Sequence, residues 1–348
     1  MLDPSRPALI LAPMEGVTDA AMRAVQGAAG SFSFAVSEFL RVSQDVPPRH
    51  VFRRHVPELD HRCLTPNGLP VQVQLLGGNA ERMAKSALVA CEAGATAIDI
   101  NFGCPAKTVN RHDGGATLLK FPQRIREIVS AIRSALPASI PVSAKMRLGW
   151  DSIEPVCENA AMAAEGGANW IVIHARTRMA GYQPPIFWRA IGEVRRQLSI
   201  PVVANGDIWT LDDFRRCREE TGCIHFMIGR GALADPRLAR QIRRELGMDS
   251  FEQTQPNEID WFVELSRLQE WSLHYLGSNP GGLVRRMKQW LKLAAQQGTF
   301  PGFDAIKEST SPDELLNTLR QLQLADGPAT ISSTRTAAST ATEMTALT

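Results

Sequence analysis

Leu9-Ile10-Leu11-Ala12-Pro13-Met14-Glu15-Gly16 is the stretch on which the fold turns. An apolar run of strand length ends at a proline. The turn after it lacks the G-x-G-x-x-G fingerprint that follows the first strand of an open, doubly wound nucleotide-binding sheet. Seven more β-rich apolar runs follow, at 34–39, 71–76, 97–101, 142–148, 170–175, 201–205 and 224–228. Amphipathic segments such as 80–93, 122–136 and 152–165 separate most of them, with apolar residues three and four apart. Eight strands alternating with helices predict an α/β fold in which the strands close as a (β/α)8 TIM barrel.

A barrel of roughly 250 residues leaves part of the 348-residue chain over. Residues 1–245 are assigned to it. Gly247, Asp249, Ser250 and Pro256 mark 246–258 as a linker, and 259–325 reads as an all-helical domain rich in Leu, Trp, Arg and Gln. Residues 326–348 are dominated by Ala, Thr and Ser with few large apolar side chains, the composition of a disordered tail.

Composition narrows the class. The apolar fraction is 44% and the charged fraction 21%, with no run of eighteen apolar residues, so no membrane span is expected. Asp3 and Arg6 near the start, with no apolar stretch between them, argue against a secretory leader and for a cytoplasmic location. The six cysteines have no paired spacing, which predicts reduced thiols and no zinc site. At a net charge of +2 a nucleic-acid partner would have to meet a local basic patch.

Barrel active sites form at the carboxyl ends of the strands. The residues at those ends are Pro13, Met14 and Glu15; Glu38 and Arg41; Gln74; Asn101 and Cys104; Lys145 and Arg147; His174 and Arg176; Asn205, Gly206 and Asp207; Gly229 and Arg230. Lys145 and Arg147 lie two apart on one strand, share a face, and need anionic company such as a flavin or a phosphate. Asn205-Gly206-Asp207 and Gly229-Arg230-Gly231 end strands seven and eight, where barrels often bind phosphate. In Asn101-Phe102-Gly103-Cys104-Pro105 the glycine allows a tight turn and the proline fixes the backbone beyond the sulfur, aiming the thiol into the mouth. With an ordinary pKa of about 8.5 that thiol is mostly protonated near neutrality and suits a general acid. A nucleophilic role would require a lowered pKa.

Ordered through the chain, Ala12-Pro13-Met14-Glu15-Gly16-Val17-Thr18-Asp19, Gln72-Val73-Gln74-Leu75, Asn101-Phe102-Gly103-Cys104-Pro105, Lys145-Met146-Arg147, His174-Ala175-Arg176, Ala204-Asn205-Gly206-Asp207-Ile208 and Met227-Ile228-Gly229-Arg230-Gly231 resemble the tRNA-dihydrouridine synthases. The resemblance implies an FMN-binding barrel followed by a helical RNA-binding domain. It implies reduction of the C5–C6 double bond of a tRNA uridine, with NADPH (or NADH) reducing FMN, hydride passing to C6 and Cys104 protonating C5. Pro13, Met14, Glu15, Gln74, Lys145, His174, Asn205, Gly206, Asp207, Gly229 and Arg230 would line the FMN site. Glu38-Phe39-Leu40-Arg41-Val42, Arg147-Leu148-Gly149-Trp150-Asp151 and Arg286-Met287-Lys288-Gln289-Trp290-Leu291 are similar to the bacterial C-type branch, which acts on uridine 16. By that likeness Arg41, Asn101, Arg147, Arg286 and Lys288 would contact tRNA, and no obligate protein partner is implied.

Blander readings stand beside these. Cys63, Cys91, Cys157, Cys217 and Cys223 read as small core hydrophobes. His50, His55, His61, His112, His225 and His274 read as structural, and His174 has a structural alternative. The run Arg285, Arg286, Lys288 and Lys292 is equally a solvated helix face, and Trp290 is assigned to the core. Two other functions remain open: a flavin barrel acting on a free pyrimidine or another small molecule, and a tRNA-binding scaffold without catalysis.

Overall fold

The computed structural model describes residues 1–110, 113–248 and 258–325. Most of the expected linker, the expected tail and His112 lie outside the described residues. Eight strands appear in chain order: β1 (Ala8–Leu11), β2 (Phe34–Arg41), β3 (Val71–Leu76), β4 (Ile98–Phe102), β5 (Val142–Arg147), β6 (Trp170–His174), β7 (Val202–Asn205) and β8 (His225–Ile228). All pair in parallel, and β8 returns to β1 through Ala8 opposite His225, closing the barrel.

The helices between them follow local signals. Asp19 caps the helix Ala20–Ala28 by accepting from the Met22 amide, and Asn79 does the same for Ala80–Glu92 through Arg82. The segment expected as a helix from 152 begins at Val156, because Pro155 takes the capping position. Strand β2 runs past Phe39 to Arg41, with a register shift between Val36 and Phe39. That irregularity changes which side chains face inward and leaves Glu38 at the barrel mouth.

Side chains alternate across the barrel wall. Leu9, Val73, Ile100, Ala144, Ile173 and Phe226 pack outward in the layer between strands and helices. Inward, the two halves differ. Ile10, Phe34, Val36, Trp170, Val203 and Met227 fill one side. Along β3, β4 and β5 the inward positions are Gln72 and Gln74, Asp99 and Asn101, then Ser143 and Lys145, with Gln72, Asp99 and Ser143 at 0–1% exposure in mid-strand. The expectation of apolar strand bodies is therefore corrected for these three strands. Val-Gln-Val-Gln and Ile-Asp-Ile-Asn alternate because the inner face of that half is a hydrogen-bonded polar layer.

Beyond the barrel, Trp261–Leu276, Pro280–Gln296, Phe303–Ile306 and Pro312–Ala325 form a helical unit. Its core, built on Trp261, Leu268, Met287, Trp290 and Leu319, also takes in Ala21, Met22, Val25 and Leu233 of the barrel. Trp290 is buried as expected, its indole N–H donating to Leu233 O at 2.7 Å. Among the described residues no helix is long and apolar enough to cross a membrane.

Candidate active site

The carboxyl ends of the strands open into a cavity of about 530 Å³, within the range of small-molecule and cofactor sites. Every residue expected at the cofactor site lines it: Pro13, Met14, Glu15, Gln74, Lys145, His174, Asn205, Gly206, Asp207, Gly229 and Arg230. Cys104, Asn101, Arg147 and Arg286 line it as well. Arg41 instead borders a smaller neighbouring recess, its guanidinium donating to Thr108 O at 3.3 Å. Lys288 lies outside both and donates to Lys307 O at 2.5 Å.

One end of the cavity is built from β5 to β8. Lys145 is enclosed and donates to Asn205 Oδ1 at 3.1 Å, while Asn205 Nδ2 donates to Met227 O at 2.8 Å. Burial, with Arg147 next to it, pushes the Lys145 ammonium down to about 8. Asp207 accepts from Arg176 and, at 2.6 Å, from Arg230. Arg230 also lies 4.3 Å from the Tyr182 ring centroid and 4.8 Å from that of Trp209, an aromatic clamp that fixes its planar fork.

Two glycines here are closely packed. Gly206 has φ +112°, and a Cβ on it would come within 3.2 Å of the His174 ring. At Gly229 a Cβ would meet Met14 Sδ at 2.9 Å, pressing on the β1 loop. His174 is buried among Arg147, Lys145, Arg230 and Arg176; burial first, then these charges, hold its pKa well below the usual value, so it is neutral at physiological pH. Its Nδ1 is buried without a hydrogen-bond partner while the ring lines the cavity, an arrangement that suits a ligand contact better than a purely structural role.

Across from this end sits Cys104. Asn101 Oδ1 accepts from the Gly103 and Cys104 amides, both at 2.9 Å, and Asn110 Nδ2 donates to Cys104 O at 3.1 Å. Arg147 supports the same turn, donating to Gly103 O at 3.0 Å and to Thr177 O and Gly181 O of the β6 loop. Asn101 and Arg147, expected as RNA contacts, thus hold the cysteine turn in place. Burial raises the Cys104 thiol; Glu15 adds to the rise, while the Ala106 amide, Arg147 and Lys145 oppose it. The net direction favours a protonated thiol and a general acid over a nucleophile.

Several lining residues carried no site assignment from the sequence, Glu38 among them although it stands at a strand end. Glu38 accepts from the Gly16 amide at 2.5 Å and raises Glu15, whose pKa is lifted first by burial. Its strand-end position was visible, but the bulge that brings it to the mouth was not. Tyr182 and Trp209 come from loops, and Gln289 and Gln296 from the helical unit, so no strand-end pattern marks them. Arg286 donates to Val17 O and pairs with Asp19, and its burial pushes its pKa down to about 10. Arg285 and Lys292 are exposed, and Lys292 reaches the cavity rim. Of the other cysteines, Cys63, Cys217 and Cys223 are buried, and Cys91 and Cys157 pack half-buried against the core, as expected for small hydrophobes.

Comparison with known proteins places this geometry. Residues 10–325 match the family model described as dihydrouridine synthase. A tRNA-dihydrouridine(16) synthase of Shewanella oneidensis is 41% identical over 320 residues, covering 90% of this chain and 98% of that one. One from Pseudomonas putida is 44% identical over 286 residues, covering 82% and 87%. Among solved structures, a 2-naphthoyl-CoA reductase aligns with a TM-score of 0.53 at 10% identity over 68% of this chain and 50% of that one, a likeness of fold alone. On the extent of these matches, the chain belongs to the dihydrouridine synthase family.

Proposed function

We propose that the cavity holds FMN between the β7–β8 ends and Lys145, and a uracil of tRNA on the side of Cys104. The chain is an oxidoreductase that forms dihydrouridine in tRNA, the activity carried in the names of relatives matching most of its length. The observation that supports this reading most directly is the cysteine held at the mouth opposite a basic, glycine-lined cradle that contains the orphaned His174 nitrogen.

The residues present fit the flavin. Arg230 and the close-packed Gly206 and Gly229 would take its phosphate end, and Lys145 and Gln74 its ring edge. Bound there, FMN supplies hydride transfer, drawing its reducing equivalents from NADPH or NADH. Cys104 gives its Sγ proton to C5 of the uracil, and the nearby Lys145 and Arg147 charges favour the thiolate left behind. Pro13, Met14 and Glu15 form the opposite lip, and Asp207 fixes Arg230.

Residues 1–245 act as the catalytic unit and 259–325 as the tRNA-binding unit. The helix Pro280–Gln296 forms the cavity rim, with Arg285 and Lys292 outward for phosphates and Arg286 joining the two units through Asp19. Arg41 offers a further basic contact beside the mouth. A free pyrimidine would have no use for this rim, and a scaffold without catalysis would not need the enclosed thiol, so neither alternative is favoured. The target is uridine 16, and the site of action is the cytoplasm. Dihydrouridine mapped along tRNA from a strain lacking this protein is expected to vanish at position 16 alone; its persistence there would overturn the assignment.

Cofactor affinity should depend on pH through Lys145. Below about pH 8 the ligand-free protein presents a charged ammonium to the anionic flavin, and above it a neutral amine. Affinity should therefore fall as pH rises past about 8, by at most about tenfold per pH unit for one linked proton. By the same linkage the ligand-free fold gains stability between about pH 8 and the ordinary lysine range, where only the unfolded chain keeps the proton. Flavin titrated into apoprotein at pH 7 and pH 9.5 tests this, and equal affinities would remove Lys145 from the cofactor site.

A further inference from the structure

We propose that Asp99 is a positioning residue for Cys104, acting through the side-chain amides of Gln74 and Asn101. Asp99 is 1% exposed on β4, one layer below the cavity, and is not among the cavity's lining residues. Its Oδ2 accepts from Gln74 Nε2 at 2.6 Å and its Oδ1 from Ser143 Oγ at 2.5 Å. Gln74 Oε1 accepts from Asn101 Nδ2 at 2.9 Å, and Asn101 Oδ1 accepts from the Gly103 and Cys104 amides.

The two ends of this chain have fixed chemistry. An ionised carboxylate only accepts, and a backbone N–H only donates. Two primary amides bridge such ends in one orientation alone: each turns its NH2 toward the carboxylate and its oxygen toward the backbone. Asp99 thereby dictates that an oxygen, not an NH2 group, faces the turn carrying Cys104. Burial raises the Asp99 carboxyl, and the donors Ser143 and Gln74, with the positive charge of Lys145 on the adjacent strand, oppose that rise. The polar alternation of β3, β4 and β5 is explained as the conduit of this relay.

A neutral amide at position 99 would conflict with it. If its oxygen stays with Ser143, its NH2 faces the Gln74 NH2; both amides must then invert, and the Asn101 NH2 is driven against two backbone donors. If its NH2 faces Ser143, that hydroxyl receives a second donor besides Gln72 Nε2 and loses the acceptor for its own proton. Either outcome leaves a buried donor unsatisfied, which costs about 1–3 kcal/mol.

An exchange of the two groups tests the relay. Asp99→Asn breaks its polarity at the cysteine turn and Asn101→Asp breaks it at Gln74, whereas the double exchange rebuilds it in reverse, with every donor matched and the charge conserved. The rate of iodoacetamide labelling at Cys104, read by mass spectrometry of its peptide, should rise by about tenfold or more in Asp99→Asn as the turn opens, whereas Asn101→Asp still presents oxygens to both amides and should stay near the wild-type rate. In the double exchange it should return to near the wild-type rate. Reoxidation of the reduced flavin by tRNA should fall by about tenfold to a hundredfold in Asp99→Asn, from a misplaced thiol, and by more than flavin reduction by NADPH, which an inverted Gln74 amide alone would touch. This second reading rests on the proposed function. The labelling does not, so failure of that function and failure of the relay are distinguishable. Wild-type labelling in Asp99→Asn, or a double exchange as impaired as Asp99→Asn alone, would overturn the relay. If a single variant fails to accumulate, recovery of folded protein by the double exchange supports the proposal, and a double exchange that also fails refutes it.

Discussion

Cys104→Ala is expected to retain bound flavin and its reduction by NADPH, yet to form dihydrouridine at least about a hundredfold more slowly, the loss typical of removing a general acid. The substitution removes one half-buried atom from the cavity wall. The turn that carries it stays in place, because Asn101, Asn110 and Arg147 hold the backbone and not the sulfur. Burial keeps the thiol protonated above its ordinary range, so the proton is available throughout the neutral region, and activity limited by it would decline only on the alkaline side. Single-turnover reoxidation of the reduced enzyme by unmodified tRNA separates the two half-reactions. Undiminished reoxidation would transfer the proton donor to another group, and Glu15, with its raised pKa, would be the next to test.

The largest effect on stability is expected at Arg23 and Glu58. Both side chains are 0% exposed, and the pair is bidentate, with Nε to Oε1 and Nη2 to Oε2 at 2.8 Å. Arg23 Nη1 also donates to Thr18 O at 2.8 Å, and the Thr18 hydroxyl accepts from the Met14 amide at the cavity lip. Arg23→Leu leaves a carboxylate enclosed without its partner, a change that costs about 3–5 kcal/mol. Replacing both residues by leucine should recover most of that loss, since no isolated charge remains. Urea unfolding of Arg23→Leu and of the double variant at pH 7 measures it. A loss below about 1 kcal/mol in Arg23→Leu would mean that water reaches the site. Because the helix Ala20–Ala28 packs Met22 and Val25 against the helical unit, Arg23→Leu should also loosen the joint at which Asp19 meets Arg286.

Much of the site could be read before the structure, because strand-end residues in a parallel barrel converge by topology. Once eight strands are counted, Lys145, His174, Asn205 and Arg230 must share one mouth whatever the details of packing. The cysteine turn was legible for a different reason, since Gly103 and Pro105 constrain the backbone locally. The use made of Asn101 and Arg147 was not. Their side chains look equally free to meet RNA until the carbonyls and amides they bind, those of Gly103, Thr177 and Gly181 among them, are brought beside them. Arg286 is a similar case, since Asp19 lies 267 positions away in the chain.

By itself the sequence determined the eight strands, their alternation with helices, the placing of chemistry at the carboxyl ends and the helical unit after the barrel. Each of these is written in periodicities spanning no more than a few turns of chain. Only the tertiary structure decided that one half of the barrel interior is a polar layer, that Glu38 reaches the mouth through a bulge, that Tyr182 and Trp209 clamp Arg230, and that Asp99 stands behind Cys104. Hydrogen bonds and ion pairs are satisfied by whichever partner closure of the barrel delivers. That partner lies tens to hundreds of residues away, where no local pattern can name it.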